Sequence, residues 1–124
     1  MPDPDEIRAA MQSYVKLLCQ SDIDGIMDLY ADDATVEDPV GKEPHRGSEA
    51  IRAFYSLASA KLRVELTGPI RVAGNECAMP MRAEIDLGDR KTYIDVIDVM
   101  KFNGAGLVIS MRAFWNPADT RSTR

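Results

Sequence analysis

The chain has 124 residues, 45% of them apolar and 28% charged, with a formal net charge of −5 and a sequence pI of about 4.8. That length fits one domain, positions 1–124, with a sizeable core, and the apolar content excludes a disordered chain. An acidic balance with singly scattered basic residues argues against nucleic acid and anionic membrane as partners.

The opening stretch MPDPDEIRAA is acidic and lacks the apolar centre of a secretory signal. No apolar run approaches the roughly 20 residues of a membrane span. Cys19, Cys77 and a single His, His45, do not make a standard zinc set. Two buried free thiols in a reducing cytoplasm are expected.

The first element is a helix. Asp3 or Asp5 caps it, and Ile7, Ala10, Met11, Tyr14, Leu17 and Leu18 recur at the spacing of one buried face. Ser21 or Asp22 then caps a second, short helix with Ile23, Ile26, Met27 and Tyr30 inward. ATVEDP is a short extended piece and VGKEPHRG a Gly/Pro loop. Ser48 opens a third helix, SEAIRAFYSLAS, which buries Ile51, Phe54 and Tyr55.

From position 61 the pattern turns to strands: KLRVELTGPIRVAG, ECAMPMRAEIDLG, KTYIDVIDVMKF and LVISMRAFW. Their connections contain GN, GD and NGAG, which are hairpin signals. Three helices followed by about four antiparallel strands make an α+β domain, with the helices covering one face of the sheet. The C-terminal NPADTRSTR, from about position 117, is expected to be a mobile tail.

Strand parity separates two acids in YIDVIDVMKF. Asp98 shares its face with Ile94, Val96, Met100 and Phe102, whereas Asp95 lies on the opposite face with Lys101. A carboxylate in an apolar row is costly unless paired or protonated. Two readings are open. Asp98 is a neutral acid donating a hydrogen bond into a pocket, or it is paired structurally with a cation such as Arg82 or Arg112. Asp38 ends the apolar row Ala34, Val36, Asp38, at the edge of the core. That position suits a general base, but an aspartate before a proline is also an ordinary turn residue. Tyr14, Tyr30 and Tyr55 point inward from three helices, either as a hydrogen-bonded group or as separate core residues. The methionines supply soft apolar surface for a core or a pocket.

The stretches YADDATVEDPVG, IRAFY, AMPMRAE, IDVIDVMKFNGAG and SMRAFW, in this order, resemble the Δ5-3-ketosteroid isomerases. The resemblance covers most of positions 5 to 115. It implies the cystatin-like, nuclear-transport-factor-2-like cone, with three helices on a curved, mainly antiparallel sheet. It implies Asp38 as catalytic base, with Tyr14 and a protonated Asp98 as the oxyanion hole. Tyr30 and Tyr55 would support Tyr14, and Met79, Met81, Val96, Met111 and Trp115 would line a steroid pocket. The implied reaction carries a proton from C4 to C6 of a 3-oxo-Δ5-steroid through a dienolate, without metal or cofactor. A homodimer joined through the sheets is implied, with Ile97 and Val99 on the face opposite Asp98. The alternatives are another enzyme of related fold, such as a polyketide cyclase, or a non-catalytic steroid-binding module.

Overall fold

The computed structural model describes residues 2–123. Helix α1 (Pro4–Gln20) starts where the Asp3 carboxylate accepts the Glu6 backbone N–H at 2.9 Å, with Pro4 in the first turn. This satisfies one orphan donor of the helix end. Ile7, Met11, Tyr14 and Leu18 form its buried stripe. Asp22 caps the five-residue α2 (Ile23–Met27) by accepting from the Gly25 N–H at 3.0 Å. Helix α3 spans Gly47–Ala58, one residue earlier than expected, and buries Ile51 and Tyr55.

Eight strands form one sheet: β1 (Tyr30–Glu37), β2 (His45–Arg46), β3 (Leu62–Leu66), β4 (Arg71–Ala73), β5 (Glu76–Asp86), β6 (Lys91–Phe102), β7 (Val108–Phe114) and β8 (Thr120–Thr123). The order is β2-β1-β7-β6-β5-β3, with β4 pairing β5 and β8 pairing β6. The helices lie on a curved, mixed sheet, with α1 against β3 and β4 and α3 against β1 and β2. The NG-containing turn joins β6 to β7, and Gly106 there has φ +83°, which glycine adopts without strain.

The structure differs from the sequence expectation in several elements, and β2 (His45–Arg46) lies within the stretch read as a loop. Tyr30 is not on the second helix. That helix ends at Met27, the Leu29 N–H closes a tighter turn onto the Ile26 carbonyl, and Tyr30 opens β1. The 3–4 spacing of Ile23, Ile26, Met27 and Tyr30 continued past the helix only by coincidence, because the first residue of β1 also faces the core. Second, β1 runs parallel to β7. Hairpin turns dictate antiparallel pairing only between strands adjacent in sequence, and these two are not. Third, KLRVELTGPIRVAG splits into β3 and β4, both antiparallel to β5. Fourth, the expected tail at about 117–124 carries a 3₁₀ turn (Pro117–Asp119) held by a reciprocal Asn116–Asp119 cap, and Thr120–Thr123 pairs with the start of β6. Position 124 lies outside the described residues.

Cys77 is buried, but Cys19 is exposed, contrary to the expected pair of buried thiols. Cys19 lies near the end of α1, where its sulfur meets the backbone of Val64 on β3.

Candidate active site

Asp98 sits in the middle of β6, the strand between β5 and β7. Its cross-strand neighbours are Met79 and Ala113, and Met100 beside it pairs with Cys77 and Met111. All five neighbours are buried, and Asp98 itself is 4% exposed. Side chains directly opposite in a sheet stand about 5 Å apart, so the carboxyl is ringed by hydrocarbon and sulfur. The two cations considered as partners are engaged elsewhere. Arg82 binds Asp95 at 3.1 Å, and Arg112 binds Glu37 at 2.9 Å. Among the described residues no ion pair includes Asp98. Burial, and then the negative charge of Asp38, push the Asp98 carboxyl up to about 8. Both causes disfavour the anion and favour the neutral acid.

Asp38 follows directly on β1, and Trp115 follows directly on β7. Because these strands are parallel neighbours, their C-terminal ends lie side by side. The Trp115 indole N–H donates to Oδ1 of Asp38 at 2.7 Å. Burial raises the Asp38 carboxyl above its ordinary value, while the Trp115 hydrogen bond and the charges of Lys42 and His45 pull it back. Asp38 is only half-buried, so its anion keeps some solvation. The two carboxyls therefore differ in environment. Asp98 has no stabiliser for its charge and Asp38 has three.

Tyr14 (α1), Tyr55 (α3) and Tyr30 (β1) converge. The Tyr14 and Tyr55 hydroxyls are 2.8 Å apart, and those of Tyr55 and Tyr30 are 2.5 Å apart. All three are at most 5% exposed. Burial pushes each phenol well above its usual value. All three therefore remain protonated donors at neutral pH. Each hydroxyl has one proton, so a Tyr14 that donates outward must accept from Tyr55, which must accept from Tyr30.

Tyr14, Asp38, Tyr55 and Asp98 line one cavity of about 250 Å³. Of the expected apolar lining, Met81, Val96, Met111 and Trp115 are present. Met79 is fully buried in the core and does not line the cavity. Sequence reading missed Leu18, Phe54, Leu62, Val64, Ile85 and Ile94. Parity held the signal for two of them, since Ile94 shares the Asp98 row and Ile85 the Met81 row. The Trp115–Asp38 hydrogen bond had no local signal.

The profile of the SnoaL-like domain family matches residues 11–111. The steroid Delta-isomerase of Nocardioides simplex is 44% identical over 115 residues, covering 92% of this chain and 93% of that protein. Epoxide hydrolase LasB of Streptomyces lasalocidi is 25% identical over 142 residues, covering 95% of this chain and 50% of that protein. Among solved structures, SalBIII, described as an epoxide hydrolase/cyclase-like enzyme with a role in pyran ring formation in the polyether salinomycin, superposes with a TM-score of 0.90. It is 27% identical and covers 97% of this chain and 98% of its own. With a family profile matched across most of its length and a curated relative at 44% identity, the chain belongs to the SnoaL-like domain family and is a homologue of steroid Delta-isomerase.

Proposed function

We propose that the protein is a steroid Δ-isomerase, moving the C5=C6 double bond of a 3-oxo-Δ5-steroid into conjugation with the C3 ketone. One observation carries this reading. A single apolar cavity holds a half-buried carboxyl that accepts from the Trp115 indole, Asp38, together with a fully buried carboxyl that burial pushes up to about 8, Asp98, and the phenol of Tyr14. Its 44% identity to the Nocardioides simplex steroid Delta-isomerase supports the same reading.

In this mechanism the Asp38 carboxylate removes a proton from C4. The electron pair moves through C3 onto the ketone oxygen and leaves a dienolate. Tyr14 and neutral Asp98 donate hydrogen bonds to that oxygen, which carries full negative charge only after proton abstraction. Donors fixed at such a point are worth about 10²- to 10³-fold each. An ionised Asp98 would repel the oxyanion instead. Asp38 then returns the proton to C6 and regains its charge. The proton is conserved, so the cycle calls for no external acid, base or redox partner. The base contributes on the order of 10²- to 10⁴-fold. The apolar walls hold the rings and limit water at the dienolate.

The likeness to LasB and SalBIII favours a second reading, in which the same acid–base pair assists epoxide opening or ring closure. A homodimer joined through the outer sheet face belongs to the main proposal, and the exposure of Ile97 (47%) and Phe114 (42%) there supports it. A cytoplasmic setting, in which Cys19 and Cys77 stay reduced, belongs to it as well.

The test is to mix the protein with a 3-oxo-Δ5-steroid and follow conjugated-enone absorbance. A rate well above buffer that disappears in Asp38→Asn is expected. A rate no higher than buffer overturns the proposal and leaves the epoxide reading to be assayed.

A further inference from the structure

The active-site cavity is polar at one end and apolar along its length. Met79 on β5 pairs with Asp98, and Ile85, six residues further, pairs with Thr92. At about 3.3 Å per residue, Ile85 lies roughly 20 Å along the strand from the level of Asp98. This exceeds the length of a four-ring steroid nucleus. Between those levels the wall is Val96, Ile94, Ala83 and Val64, with no polar side chain to receive an oxygen on ring D. The far lip is the cross-strand pair Leu62–Ile85.

A second, more open cavity of about 760 Å³ begins at the same lip, since Leu62 lines both. Lys61 and Arg63 flank Leu62, Glu84 and Asp86 flank Ile85, and Lys91 starts β6 beside them. Lys91 stands 3.7 Å from Glu84, and Asp86 accepts the neutral Gly88 backbone N–H at 2.9 Å and keeps its charge. Among the described residues, Lys61 and Arg63 have no ion-pair partner. The rim therefore holds three cations against two acids, a local excess of one positive charge on a protein whose net charge is −5.

We propose that this rim is a subsite for an anionic group at the end of a ring-D side chain, so that the preferred substrates are 3-oxo-Δ5-steroids bearing an acidic side chain. The inference rests on the isomerase reading and adds the substrate class. The nucleus occupies the apolar cavity with its ketone at Tyr14 and Asp98, the side chain passes Leu62 and Ile85, and the anion meets Lys61 and Arg63.

The experiment compares a 3-oxo-Δ5-steroid carrying a side-chain carboxylate with its methyl ester. Both are assayed on the wild-type protein and on Lys61→Gln/Arg63→Gln; both side chains are exposed, so the fold tolerates the change. The wild type is expected to favour the acid in kcat/KM on the order of fivefold, the upper range for exposed ion pairs. The ratio falls towards one in the double variant and at high salt. Equal use of acid and ester by the wild type, or a ratio unchanged in the variant, overturns the subsite. If neither compound is isomerised, the isomerase reading is what fails. Binding of acid and ester, followed by fluorescence of the single tryptophan, Trp115, then decides the subsite alone.

Discussion

The Trp115 indole N–H and the Asp38 carboxylate meet at 2.7 Å because two parallel strands end side by side. A hydrogen bond to a charged group stabilises that charge by about 1.5 to 3 kcal/mol. Trp115 therefore does more than wall the pocket. It pulls the Asp38 carboxyl down against the rise that burial imposes, and it fixes the carboxyl's orientation. Trp115→Phe retains the apolar wall and removes the donor. The Asp38 carboxyl then titrates higher, so the acid limb of the kcat/KM profile moves to higher pH, and kcat falls about tenfold. A profile and kcat identical to wild type would show that the indole only packs.

In the proposed mechanism, isomerisation needs Asp38 ionised and Asp98 protonated at once. Activity accordingly rises as Asp38 loses its proton and falls as Asp98 loses its own, at about pH 8. In Asp98→Asn the group at this position keeps its donor at every pH, so the alkaline fall disappears while the acid limb remains. Measuring kcat/KM from pH 4 to pH 10 for both proteins checks this. An alkaline limb unchanged in Asp98→Asn assigns it to another group.

Asp98 also predicts a cost to stability. Its folded value, about 8, lies above the unfolded reference near 3.9. Between those values the native state binds more protons than the unfolded one, so stability falls as pH rises. The fall is about 1.4 kcal/mol per pH unit from this group, or roughly 4 kcal/mol of cost accumulated by pH 7. Asp98→Asn removes the titration. The variant should be more stable than wild type at pH 7, while the two converge near pH 4. Denaturant midpoints at the two pH values measure it. A variant less stable at both would mean that the carboxyl makes a contact the amide cannot replace.

Much of this site was legible in the sequence, and the limits were physical. Period-2 alternation placed Asp98 in its apolar row, and 3–4 spacing placed Tyr14 and Tyr55 on buried helix faces, because these patterns are local. Parity left open whether a cation answers Asp98. That depends on which acids compete for Arg82 and Arg112, and Asp95 and Glu37 hold them. The Asp38–Trp115 contact joins positions 77 residues apart through a parallel pairing. No turn or periodicity encodes such a pairing. Tyr30 was read as helical because the first residue of a buried strand satisfies the same apolar spacing.

The tyrosine triad allows a graded test. Tyr14→Phe removes a donor to the oxyanion and should lower kcat about 10²- to 10³-fold with little change in KM. Tyr55→Phe leaves Tyr14 able to donate but removes the hydroxyl that polarises it. Chained hydrogen bonds strengthen one another by about 10 to 30% each, so the loss in kcat is far smaller, within about tenfold. The structural loss is larger, because the Tyr14 and Tyr30 hydroxyls both lose their buried partner. Unfolding free energy should drop by about 1 to 3 kcal/mol. Tyr30→Phe, at the end of the chain of hydroxyls, should affect both less. The order expected in kcat is thus Tyr14→Phe well below Tyr55→Phe, and Tyr55→Phe below Tyr30→Phe. If Tyr55→Phe matches Tyr14→Phe in kcat, the hydroxyl reaching the substrate is that of Tyr55, which lines the same cavity.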